Sequence, residues 1–182
     1  MKTLPLTLKN GYKPVAADYL RIKEFCDQYL IDNPEDFHEY IMRAEANYYL
    51  KDYKASNDDY DSAIALKPDI AEYYYKRALT KFKLFDYPGV IKDTTDAIKL
   101  NPQFVIALSG RGVAEYLTGN FTRALLDFNK SIDLDPSIGL AWFGRGVIKI
   151  TMGNKKSGTA DMLKGQRLGY RGGYEIYSGK YR

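Results

Sequence analysis

Proline returns every 34 residues, at Pro34, Pro68, Pro102 and Pro136, and the last three close runs of the form Ala/Ser-Ile-x-Leu-x-Pro. A fixed period of this length is the mark of stacked helical hairpins, because one hairpin cannot bury its apolar face alone and needs a neighbour to cover it. With units counted from the third residue after each proline, the repeats span residues 37–70, 71–104, 105–138 and 139–172. Column 8 is always small (Ala44, Ala78, Gly112, Gly146), so two helices can approach closely there. Column 4 is large (Tyr40, Tyr74, Leu108, Trp142), and column 27 is small again (Ala63, Ala97, Ser131, Gly165). Asp52-Tyr53, Asp86-Tyr87 and Asn120-Phe121 pair a turn former with a ring at columns 16 and 17. Each unit therefore reads as helix, turn near column 15, second helix, then a proline that cannot continue it.

These columns resemble the tetratricopeptide repeat, with a large residue at 4, small ones at 8 and 27 and proline at 32. The resemblance runs from residue 37 to about residue 168 in four in-register copies. It implies an all-α, right-handed solenoid of stacked antiparallel hairpins: four repeats, a partial N-terminal helix and a short C-terminal element. Departures occur at column 7, which holds arginine (Arg43, Arg77, Arg111, Arg145), and at column 11, which holds Asn47, Lys81, Glu115 and Lys149.

Column 23 is aspartate throughout: Asp59, Asp93, Asp127 and Asp161. Columns 7 and 23 lie equally far from the turn, so in an antiparallel hairpin they stand at the same height. This predicts structural ion pairs Arg43–Asp59, Arg77–Asp93, Arg111–Asp127 and Arg145–Asp161, in preference to a basic ladder for an anionic ligand.

At the ends, residues 1–14 hold Pro5, Gly11 and Pro14 and read as an extended lead-in. Residues 15–33 carry apolar side chains at helical spacing and read as a capping helix, the second half of a degenerate hairpin. Asp36 is placed to cap the helix that follows. In the fourth repeat Leu168-Gly169-Tyr170 replaces the closing proline, and residues 173–182 read as a tail whose tyrosines pack on the last hairpin.

Hydrophobic content of 45% with 27% charged residues is that of a soluble globular protein, and no stretch is long and apolar enough to span a membrane or serve as a secretion signal, so a cytoplasmic location is expected. The lone Cys26 allows no internal disulfide and reads as a buried thiol; the lone His38 reads as solvent-facing. No catalytic constellation, metal-ligand spacing or phosphate loop is present, so neither an enzyme nor a cofactor or metal is expected. Residues 139–182 carry nine Lys or Arg against two acids, leaving eighteen against twenty-one in the rest, so the excess positive charge sits at the C-terminal end.

The resemblance implies that the first helices line a concave groove with columns 2, 5, 6, 9, 12 and 13. That assigns partner-binding roles to Tyr48, Tyr75, Leu79, Phe82, Ile106, Val113, Tyr116, Leu117, Leu140, Phe143, Val147 and Ile150. Gly110 and Gly144 are expected to open room in the groove wall. The clamp by which some family members hold an acidic chaperone C-terminus needs Lys, Asn and Arg where this chain has Ile41, Glu45, Lys76, Ile106 and Gly110. The expected function is noncatalytic recognition of a protein or peptide partner along the groove. The alternatives are a self-associating subunit that buries the groove in a homodimer or under its own tail, and, less favoured, contact between the basic end and RNA or an acidic partner.

Overall fold

The computed structural model describes residues 14–172, and all regular structure among them is helical. The expected tail at 173–182, and the lead-in up to residue 13, lie outside the described residues. The chain forms two compact units, one ending at Leu84 and the other beginning at Phe85. The first contains α1 (Ala16–Asp32), α2 (Phe37–Tyr49), α3 (Tyr53–Leu66) and α4 (Ala71–Lys83). The second contains α5 (Tyr87–Leu100), α6 (Val105–Leu117), α7 (Phe121–Leu134), α8 (Gly139–Thr151) and α9 (Lys155–Arg167). Within each unit every helix packs on the next in sequence, and α6 also touches α8.

The boundaries follow local chemistry. Asp36, Asp52 and Asp86 cap α2, α3 and α5, each accepting from a backbone N–H in the first turn: His38 at 3.1 Å, Ala55 at 3.1 Å and Gly89 at 2.9 Å. Between the two helices of every hairpin the chain steps into the left-handed region at column 15. Gly119 and Gly153 do this freely, but Lys51 (φ 67°) and Phe85 (φ 59°) hold the same conformation with a Cβ in place. Second helices stop before the repeating proline. The ring at column 4 of the next helix then bonds back to that proline's carbonyl: Tyr74 Oη donates to Pro68 O at 3.0 Å and Trp142 Nε1 to Pro136 O at 2.8 Å.

The cores are built from the small columns and a few large side chains. Ala44, Ala63 and Cys26 are fully buried in the first unit, with Tyr60 nearly so. In the second unit Phe128 is fully buried between α6 and α8, and glycines make its space. A Cβ on Gly112 would lie 2.9 Å from the Phe128 ring, and one on Gly144 would lie 2.4 Å from it. The room expected beside Gly144 is therefore taken by Phe128 and is not open. The α8–α9 hairpin is closer still, because Gly146 faces Gly158 and Gly139 faces Gly165, so that backbone meets backbone.

Arginine at column 7 is held from more than one side, and from three at Arg43 and Arg145. Arg43 donates from Nε and Nη2 to Asp59, sixteen residues ahead, at 2.6–3.1 Å. Arg111 does the same to Asp127 at 2.7 and 2.8 Å, and Arg145 to Asp161 at 2.7 and 3.0 Å. The remaining amino group reaches sixteen residues back, into the preceding hairpin. Arg43 finds Asp27 there at 2.8 Å, Arg77 finds Asp61 at 2.7 Å, Arg111 finds Thr95 at 3.1 Å and Arg145 finds Asn129 at 2.9 Å. In the three repeats with a ring at column 4 the guanidinium also lies over it: Arg43 over Tyr40, Arg77 over Tyr74 and Arg145 over Trp142. One side chain thus closes its own hairpin and ties it to the one before. The expected pair Arg77–Asp93 joins residues of the two units and stays an expectation.

Column 11 adds a further donor: Asn47 Nδ2 to Asp59 at 3.0 Å, and Lys149 Nζ to Asp161 at 2.8 Å. Burial pushes the Asp161 carboxyl up, but hydrogen bonds from Arg145 and Lys149 outweigh it and hold the group below the ordinary aspartate value. Burial dominates at the more enclosed Asp59, which is raised despite Arg43 and Asn47. Cys26 is fully buried, its Sγ donating to Glu39 Oε2 at 3.1 Å; burial and the adjacent carboxylate push the thiol far up, which makes it a poor nucleophile.

Candidate recognition surfaces

In the first unit α2 and α4 lie side by side, and between them opens a cavity of about 170 Å³ lined by Glu45, Tyr48, Tyr49, Tyr60, Lys76 and Leu79. Of the residues expected along the groove, Tyr48 forms a half-buried wall and Leu79, 39% exposed, forms the lip. Tyr75 and Phe82 of α4 are half-buried. The rings are braced by one another: Tyr48 stands edge-on to Tyr49 and Tyr53, and Tyr49 stacks on Tyr19 of α1 with centroids 4.5 Å apart. At the rim the Lys76 ammonium binds Glu45 and, at 3.2 Å, Glu72, leaving one uncompensated negative charge there. Tyr60 comes from α3, a second helix, and so lies outside the first-helix columns. Its burial at the cavity floor pushes its phenol strongly up, so it remains a neutral hydroxyl.

The second unit presents a flatter apolar face. Ile106 is 43% exposed, and Leu117, Leu140, Val147 and Ile150 are half-buried. Val113, Tyr116 and Phe143 are buried and offer little surface. Tyr116 packs on Phe121. Phe143 sits against the site of the missing Gly165 side chain and under Tyr170, whose ring centroid is 5.2 Å away. Tyr170 occupies the position of the fifth proline, so the chain's own continuation covers part of the last hairpin. On the other side a shallower hollow of about 360 Å³ is lined by Ile91, Thr95, Arg111, Glu115, Arg123, Leu126 and Asp127, with its ladder residues already bonded to one another.

Among the described residues no three or more His, Cys, Asp or Glu side chains come together as a metal site, and no helix is long and apolar enough to cross a membrane.

No protein-family model and no curated protein matches the sequence. Solved structures do match. The crystal structure of MamA superposes with a TM-score of 0.79 over 87% of this chain and 96% of that one, at 16% identity. YrrB, described as a TPR protein with an unusual peptide-binding site, gives 0.74 over 90% and 84%, at 17% identity. The chain has the tetratricopeptide-repeat fold. The TPR domain of Arabidopsis OM64 matches over 64% of this chain and 97% of its own, at 24% identity and a TM-score of 0.62. Within this tetratricopeptide-repeat frame the first helices are α2, α4, α6 and α8, so the tyrosine-lined cavity lies between neighbouring first helices of two repeats.

Proposed function

We propose that the protein is a noncatalytic recognition module that binds a peptide or helix of a partner protein on the first unit, anchored in the α2–α4 cavity. The observation that carries this reading is the cavity itself. It is concave, walled by three tyrosines and a leucine, and sized for one apolar side chain. Tyrosine walls bring contact area at low entropic cost, since each ring has only two rotatable bonds to freeze. The negative rim around Glu45, Glu72 and Lys76 favours a partner with Lys or Arg beside its apolar anchor. The peptide-binding site of the structural neighbour YrrB gives the reading further support. The second unit has an apolar strip of its own, half-buried Leu140, Val147 and Ile150, where Tyr170 has already taken the place beside Phe143.

The test is a peptide display selection against the native chain, followed by binding to Leu79→Glu. Leu79 is exposed, so the variant keeps its fold, yet it places a carboxylate at the lip. Selected peptides should share an apolar or aromatic anchor and bind the variant at least about tenfold more weakly at unchanged melting temperature. Peptides that bind both forms equally would place recognition elsewhere.

A further inference from the structure

The first and last described helices each carry exposed aliphatic side chains beside charge, acidic on one and basic on the other. On α1 the positions spaced i, i+4, i+7 and i+11 are Leu20, Glu24, Asp27 and Ile31; Leu20 is 48% and Ile31 69% exposed, and Glu24 is exposed as well. The same columns on α9 are Lys156, Ala160, Leu163 and Arg167, all exposed, Leu163 at 47%. On α3, α5 and α7 these columns read Lys54-Asp58-Asp61-Ala65, Pro88-Lys92-Thr95-Lys99 and Thr122-Leu126-Asn129-Asp133. Of those three, α3 and α5 have no leucine or isoleucine in these columns, and α7 pairs the exposed Leu126 with Asp133 alone, so α9 is the one second helix whose stripe joins exposed leucine to positive charge.

Charge around the two stripes is opposite in sign. From Glu24 to Glu39 the chain has six carboxylates and no lysine or arginine; Asp27 among them is bound to Lys23 and Arg43, while Glu24, Asp32 and Glu35 are exposed. From Lys155 to Arg171 it has five cations and a single acid, Asp161, which is buried and bonded to both Arg145 and Lys149. The α9 cations therefore project a net positive field that nothing on the hairpin neutralises. A single-stranded nucleic acid would need a free ring for base stacking. The ring beside this face, Trp142, is already held between Arg145 at 4.6 Å and Lys164 at 4.0 Å. The surface fits a protein helix bearing carboxylates and aliphatic side chains at matching spacing, and α1 is such a helix.

We infer that α9 of one copy docks on α1 of a second copy, Lys156 and Arg167 facing the acidic run from Glu24 to Glu35, with Leu163 against Leu20 and Ile31. The two helices, of 13 and 17 residues, run side by side for about 20 Å, so the contact is small, reversible and sensitive to salt.

Light scattering on the full chain across a concentration series, at about 20 mM and about 300 mM salt, reads this directly. The native chain should associate at low salt and lose at least about tenfold in self-affinity at high salt. Lys156→Glu with Arg167→Glu should be monomeric, as should Glu24→Lys with Asp32→Lys; all four side chains are exposed, so circular dichroism should show unchanged folds. Mixing the two variants should restore association, because each retains the face that the other lost. A native chain that stays monomeric at low salt overturns the inference, and so does association that survives either charge reversal. Binding of the native monomer to a polyanion such as heparin, without self-association, would assign the basic face to a foreign partner and equally overturn it.

Discussion

Replacing Gly146 with alanine should destabilise the protein, although alanine is the better helix former. A Cβ at Gly146 would lie 2.6 Å from the Gly158 carbonyl oxygen and 2.8 Å from the Met162 nitrogen. Both are backbone atoms, so no rotamer change relieves them, and α8 and α9 must move apart. Forcing open a packed interface costs about 1–3 kcal/mol, with rigid backbone neighbours placing this site in the upper part of the range. Alanine returns about 1 kcal/mol of helix propensity. The net loss is about 1–2 kcal/mol, a fall in Tm of about 2–8 °C for a chain of this size. Gly158→Ala should behave alike, since its Cβ would lie 2.6 Å from the Gly146 carbonyl oxygen. One separation of the helices accommodates both methyl groups, so the double variant should lose less than the two single losses combined, by about 0.5–1 kcal/mol. Urea and thermal unfolding of the four proteins give the cycle. A rise in Tm for Gly146→Ala, or strict additivity, would refute the claim that backbone contact sets this hairpin's spacing.

Arg111→Ala, which strands the buried Asp127 carboxylate, should cost about 2–3 kcal/mol, whereas Arg111→Met combined with Asp127→Leu should cost clearly less; urea melts distinguish them. Lys51→Gly should raise stability by about 0.5–1 kcal/mol, because it relieves a Cβ at φ 67° in an exposed turn; a lower urea midpoint would contradict the strain argument. Asp161 has a lowered folded-state pKa, so its stabilising contribution is complete above the unfolded aspartate value of about 3.9 and is lost as pH falls through the folded value. Carboxyl NMR shifts should accordingly show Asp161 titrating below an ordinary aspartate, and Lys149→Met should move it upward.

The helices, their turns and their period were legible because they depend on local chemistry: proline ends a helix, aspartate caps one, and a small column lets two approach. The backward arm of the arginine ladder was hidden, because its acceptors Asp27, Asp61, Thr95 and Asn129 share the ability to accept a hydrogen bond and no common residue type. The candidate site was partly hidden for a different reason. Assigning a groove from first-helix columns treats the space between neighbouring first helices as empty, yet side chains from the second helix at column 24 enter it. Where that residue is Phe128, glycine stands at both flanking positions, Gly112 and Gly144, and the buried ring takes the space their side chains would need. Where it is Tyr60, the corresponding positions hold Ala44 and Lys76, and a cavity of about 170 Å³ lined by Tyr60 and Lys76 remains between α2 and α4. Gly112 and Gly144 therefore admit a ring that closes this surface on the second unit instead of opening it, whereas beside Tyr60 a tyrosine pocket is left available to a partner.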